Sequence, residues 1–105
     1  MERITVRDGK ELRVIRFEIL LSVEVNDYLC KLYVKNEHPF SCVESLQKIQ
    51  SRLPEYFIRI SRNCIINTLH VKSICFKKRN VELTGNKILS FSARNAKVLK
   101  RIFSQ

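Results

Sequence analysis

The residues with most chemistry to offer lie in two short polar breaks in an otherwise apolar pattern. In FIRISRNCIIN, Phe57 to Asn67, the strand-like alternation of Phe57, Ile58, Arg59 and Ile60 is interrupted by Ser61, Arg62 and Asn63. It then resumes at Cys64, Ile65 and Ile66. A loop anchored by strands at both ends presents its side chains with little entropy left to lose. Arg62 carries a planar donor fork suited to a phosphate or to the guanine edge, and Asn63 can bond a phosphate, a sugar or an adenine edge. A solvated surface arginine and a turn-forming asparagine are the plain alternatives. Asn67, which closes the run before Thr68, reads as structural, bonding backbone at a turn. The second break is Ser92-Ala93-Arg94-Asn95, where a strand pattern hands over to a helical one. A helix N-terminus offers free N–H groups to an anion. Arg94 in that first turn opposes the helix dipole, a small cost that favours a role in contact. Lys97 and Arg101 continue the face and could follow a phosphate strand; a solvated amphipathic face is the alternative.

The charge supports the polyanion reading. The net charge is +10, from 20 Lys and Arg against 10 Asp and Glu. Residues 1–56 hold nine of each sign and sum to zero, whereas residues 57–105 hold eleven cations and one acid, Glu82. Like charge gathered on one half repels itself, and a polyanionic partner relieves that. Nucleic acid is expected first and an anionic membrane surface second.

Other chemistries find little support. No glycine-rich phosphate loop, GxSxG or HExxH is present, and Glu18 with Glu24 is a weak acid–base pair, so no enzyme is expected. The four cysteines, Cys30, Cys42, Cys64 and Cys75, show no CxxC spacing, and His38 and His70 have no suitable second ligand nearby. Neither a metal, a cofactor nor a small-molecule substrate is expected. Cysteines inside apolar runs, without a signal peptide, fit reduced thiols in a cytoplasmic setting. The apolar runs are far shorter than the ~20 residues that span a bilayer.

The elements that must position these residues are mostly strands. With 105 residues, two glycines and no low-complexity stretch, one domain over 1–105 is expected. Arg3–Arg7 alternates and turns at Asp8-Gly9, with a return over 11–14. Strands are expected over 17–24 and 28–34, joined at Asn26-Asp27, and a short one over 38–40. Val25-Asn26-Asp27 with Tyr28 and Lys31 is, on its own, only a hairpin turn. Ser41 with Glu44 forms a capping box, so a first helix is expected from there to Leu53, stopped by Pro54. Strands follow over 57–60, 64–66, 71–76, 80–83 and 87–91. Ser92 caps a last helix whose Ala93, Ala96, Leu99, Ile102 and Phe103 share a face. The fold class is mostly β with two short α-helices.

Phe57 to Asn67, then Val71-Lys72-Ser73-Ile74, then Ser92-Ala93-Arg94-Asn95 before a basic helix, resemble the LytTR DNA-binding domain, an output domain of response regulators. The resemblance runs over roughly residues 3–103 and includes Glu24, Tyr28 and the Leu53-Pro54 helix stop. It implies elongated antiparallel β-sheets that bind double-stranded DNA through loops between strands, in successive major grooves and the minor groove between. By position, Arg62, flanked by Ser61 and Asn63, falls in the loop near the middle of the site. Arg94 falls on the arginine that reads a guanine, Arg59 and Lys97 fall on phosphate contacts, and Asn26-Asp27 falls on the other major-groove loop. The turn before Tyr28 is one residue short of the family spacing. Asp27 stands where Asn or His is usual; it cannot bind phosphate but could accept from cytosine N4. The resemblance thus implies a bacterial transcription regulator on promoter DNA, with two copies on paired repeats and no receiver domain in this chain. The alternative is a regulatory module whose basic C-terminal half, through Arg94–Phe103, meets a membrane protein or an anionic membrane.

Overall fold

Alternation and turn residues together set the strand pairing. The computed structural model describes residues 2–104. Strands β1 (Arg3–Asp8) and β2 (Glu11–Arg16) form a hairpin whose turn needs Gly9 at φ +62°. A 3-10 turn, Phe17–Ile19, leads into β3 (Leu20–Asn26), β4 (Leu29–Val34) and β5 (Phe40–Cys42). Helix α1 (Leu46–Gln50) precedes β6 (Phe57–Ser61) and β7 (Cys64–Asn67). After a second 3-10 turn, Thr68–His70, come β8 (Val71–Cys75), β9 (Asn80–Leu83), β10 (Lys87–Ser90) and helix α2 (Ala93–Phe103).

Every described ladder is antiparallel. The central sheet has the order β5-β4-β3-β7-β6, beside a β10-β9-β8 sheet and the β1-β2 ribbon. The molecule is elongated, 43 × 25 × 23 Å, as the resemblance implies.

Both faces of the central sheet are covered, which explains why Cys64-Ile65-Ile66 is apolar without alternating. Ile65 joins Ile4, Val6, Phe17, Leu32 and Ile49 in one core. Cys64 and Ile66 join Ile60, Val81, Leu83 and Leu99 in the other. Glu24 on β3 meets Lys87 on β10 at 3.0 Å, and the same Nζ lies 3.5 Å from the Tyr33 ring centroid.

Asn67 is structural, as expected, but its reach exceeds a local turn. Fully buried, its Nδ2 donates to the carbonyls of Phe17 at 3.0 Å and Leu20 at 2.9 Å, and its Oδ1 accepts from the Leu69 N–H at 2.9 Å. One side chain thereby fixes both 3-10 turns.

The first helix differs from expectation. Ser41 lies inside β5, because Phe40 and Cys42 pair with Leu32 and Cys30 on β4. The cap is Ser45, whose Oγ accepts from the Lys48 N–H at 3.2 Å, and the helix buries Leu46 and Ile49. Val43, inside the span expected to be helical, precedes the helix and is 82% exposed. Glu44 pairs with Arg52 instead of boxing with Ser41. Residues 17–19 form a 3-10 turn ahead of β3, and Tyr28 belongs to the turn rather than to the strand.

Candidate nucleic-acid interface

The β6–β7 connection is a bulge followed by a two-residue turn. Register shifts between Arg59 and Ser61, and Ser61 then pairs with Cys64, leaving Arg62 and Asn63 as the tip. A bulge bends its strand and re-aims side chains. Arg59 holds the tip in place. Its Nε donates to the Ser61 carbonyl at 3.3 Å and its Nη2 to the Arg62 carbonyl at 2.7 Å. Its Nη1 donates to Gln50 Oε1, at the end of α1, at 3.2 Å. The remaining guanidinium N–H groups stay available to an outside acceptor. The Ser61 Oγ accepts from the Asn63 N–H at 3.3 Å, and the Asn63 carbonyl accepts from the Val25 N–H at 2.9 Å. The Arg62 and Asn63 side chains are exposed.

The start of α2 is fastened beside this tip. The Ser92 N–H donates to the Ile60 carbonyl at 2.9 Å, at the bulge itself. The Ser92 Oγ caps the helix, accepting from the Asn95 N–H at 3.2 Å and from Asn95 Nδ2 at 3.0 Å. Arg94 and Lys97 project into solvent from the first turns. Between tip and helix lies an open cleft of about 560 Å3, lined by Gln50, Arg59, Ser61, Arg62, Ser92, Arg94 and Asn95. No carboxylate lines it. Among the described residues, neither Arg62 nor Arg94 forms an internal ion pair or side-chain hydrogen bond, while Glu24 and Glu82 are matched by Lys87 and Lys72.

The third segment reaches the same end of the sheet. Glu24 pairs with Cys64 across β3 and β7, so the end of β3 runs beside the β6–β7 tip. Asn26 pairs with Leu29, and Asp27 with Tyr28 makes the turn, with Asp27 at φ +58°. Asn and Asp tolerate this left-handed backbone better than most residues. The Asn26 and Asp27 side chains are exposed, and Tyr28 is 91% exposed. Sequence reasoning noted Tyr28 but placed it in the strand. Its location directly after Asn-Asp, in a hairpin with no room for a longer loop, was the signal for a displayed aromatic. The exposed turn Lys77-Lys78-Arg79 is also drawn to this end, since the Arg79 carbonyl accepts from the Phe91 N–H at 3.0 Å.

The structure therefore brings Asn26, Asp27, Ser61, Arg62, Asn63 and Arg94 to one end of the central sheet, with Arg59 bracing the middle loop and Lys97 flanking on α2. Beneath them, burial pushes the Cys64 thiol up to about 12, and the neighbouring Glu24 charge adds to the shift. That group stays a neutral packing element at physiological pH. The middle of the apolar face of α2 is engaged: Leu99 is fully buried and Ala96 packs on the same core, whereas Ile102 and Phe103 at its end are exposed. No helix among the described residues is long and apolar enough to cross a membrane. They contain no group of three or more side chains arranged to hold a metal ion.

Comparison with known proteins yields consistent matches. The family profile of the LytTr DNA-binding domain matches residues 10–104. The transcriptional regulatory protein LytR of Staphylococcus aureus, in strains N315 and NCTC 8325 / PS 47, is 27% identical over 74 residues, 70% of this chain and 30% of the relative. The chain therefore spans less than a third of the length of these curated relatives. A solved LytTr DNA-binding domain from Bacillus cereus superimposes with a TM-score of 0.83 at 19% identity, covering 100% of this chain and 99% of that one. At that identity the likeness is one of fold.

Proposed function

The chain belongs to the LytTr DNA-binding domain family, and on that premise we propose that it regulates bacterial transcription by binding duplex promoter DNA sequence-specifically through the loops at one end of its central sheet. The observation that carries this reading is the pair of unpartnered guanidinium groups, Arg62 and Arg94, at one carboxylate-free cleft. Both face the same cleft, where they are poised for outside acceptors. Arg94 reads a guanine in the major groove through a bidentate contact, worth ~1–3 kcal/mol of discrimination. Arg62 and Asn63 contact the middle of the site, with Ser61 shaping their turn. Arg59 braces the Ser61 and Arg62 carbonyls and, with Lys97, turns its remaining donors toward phosphate. Asn26 and Asp27 enter the other major groove; Asp27 accepts from a cytosine N4 rather than approaching phosphate.

Residues 1–105 act as one DNA-binding unit, in the cytoplasm, with two copies on paired repeats. Selection of bound duplexes from a random pool tests the reading and gives the half-site spacing. If about six phosphates are neutralised, affinity should fall with salt at a log–log slope on the order of −5. A pool that yields no enriched sequence, or a slope near zero, would overturn it.

A further inference from the structure

We propose that Cys30 and Cys42 form a site of reversible oxidation, at which a hydroperoxide closes an intramolecular disulfide between β4 and β5. The two residues are direct partners in the β4–β5 register, both buried in the same core and both free thiols. Directly opposed residues of an antiparallel pair hold their Cβ atoms ~4.5–5.5 Å apart. A disulfide asks for ~3.5–4.5 Å, so the strands must close by about an ångström. β5 can supply that movement. It has three residues, lies at the edge of the central sheet, and is held in a ladder by β4 alone.

The surroundings give the two sulfurs different parts. Burial pushes both thiols up, Cys30 to about 11, where the nearby Cys42 and Glu44 raise it further and Arg59 opposes them. At Cys42 the Glu44 backbone N–H and the Arg52 guanidinium oppose the shift, while the Glu44 and Asp8 charges add to it. Cys42, on the edge strand that opens, is the nucleophile and Cys30 the resolving thiol. In the closed sheet both are protonated and slow; opening of the short edge strand exposes them and sets the rate.

The Cys42 thiol loses its proton to water, and the thiolate attacks one peroxide oxygen. The O–O bond breaks, leaving a sulfenic acid on Cys42 and releasing hydroxide, which takes up a proton as water. The Cys30 sulfur then attacks the Cys42 sulfur. The S–S bond forms, the S–O bond breaks, and the departing hydroxide takes the Cys30 proton as a second water. Two thiols lose two electrons in total, and one hydrogen peroxide becomes two waters.

The location makes this more than a core lesion. Cys30 follows Leu29, the partner of Asn26 in the pair that closes the β3–β4 turn. A bond that ties β5 to β4 at Cys30 therefore strains the base of the loop that carries Asn26 and Asp27. This consequence rests on the DNA-binding reading; the disulfide itself does not.

The test oxidises the full chain with hydrogen peroxide, blocks remaining thiols under denaturing conditions, and maps peptides by mass spectrometry without reduction. The expected result is a Cys30–Cys42 linked peptide that dithiothreitol removes, retained in Cys64→Ser and Cys75→Ser and lost in Cys42→Ser. Because the wild-type map needs no variant, a poorly folding Cys42→Ser does not blunt the test. A map without that link, or with oxidation confined to the more accessible Cys75, overturns the proposal. On a selected duplex the oxidised chain should bind on the order of fivefold more weakly, restored by reductant. A linked chain that binds unchanged overturns the coupling to the loop. Failure of the reduced chain to prefer any duplex instead overturns the DNA-binding reading.

Discussion

Replacing Asn67 separates what holds the interface from what touches DNA. Its side chain makes three hydrogen bonds, to the carbonyls of Phe17 and Leu20 and from the Leu69 N–H, in full burial. Asn67→Ala takes the side-chain donor from both carbonyls, although the Phe17 carbonyl keeps the Leu20 N–H. A buried group stripped of its partner costs ~1–3 kcal/mol, so one stripped carbonyl, one weakened one and a loosened turn sum to about 2–4 kcal/mol. That is a large part of the ~5–15 kcal/mol of a whole domain and lowers Tm by on the order of 15 °C. Asn67→Asp isolates the role of the two donors. It keeps the size and the acceptor for Leu69, but removes both donors and sets an acceptor against two carbonyl oxygens. It should be at least as damaging as alanine. Urea unfolding followed by circular dichroism reads the loss, and the folded fraction of each variant should retain duplex affinity. An aspartate variant within about 1 kcal/mol of the parent would refute the assignment of the donors.

Three further outcomes follow from the geometry. Arg59→Ala removes the brace on the Ser61 and Arg62 carbonyls and should weaken duplex binding by about 1–2 kcal/mol. Arg59→Lys should not restore it, because an ammonium cannot replace the fork; titration by fluorescence anisotropy checks both. The buried thiols make stability fall in alkali. Their ordinary value is 9.0, while Cys30 and Cys64 are pushed up to about 11 and about 12. Unfolded chains therefore lose these protons first, so the stability is fully present below 9.0 and is lost as pH rises through about 12. Urea midpoints measured across that range should fall, and should fall less in Cys64→Ser. Lys87→Ala strips Glu24 of its cation and uncovers the Tyr33 ring. The expected loss is about 1–2 kcal/mol, read by denaturant melting, with the weakened link between the central sheet and β10 as its cause.

What the sequence disclosed and what it hid divide along physical lines. The hairpins at Asp8-Gly9 and Asn26-Asp27 were legible because turn residues and alternation are local signals. So was Ser92, whose capping depends on the residues immediately following. Ser41 misled for the converse reason. Its spacing to Glu44 satisfies a local rule, but pairing of Phe40 and Cys42 with β4 satisfies more backbone and buries more apolar surface. The helix therefore waits for Ser45. The grouping of Arg62 with Arg94 was suggested by composition and the resemblance; the Ser92-to-Ile60 hydrogen bond that joins them depends on tertiary folding. The bracing by Arg59 was hidden as well, since it requires the bulge at Ile60 to bring two carbonyls under one guanidinium. The Glu24–Lys87 bridge joins residues from two sheets, and no local pattern announces it.

Base readout by Arg94 is tested most directly with Arg94→Ala, titrated on a selected duplex and on the same duplex changed at each base pair in turn. The variant should lose ~1–3 kcal/mol on the parent duplex and become indifferent to substitution of a single guanine, while its preferences elsewhere persist. An equal loss on every sequence, with the preference for that guanine retained, would make Arg94 a phosphate contact and not a reader of bases.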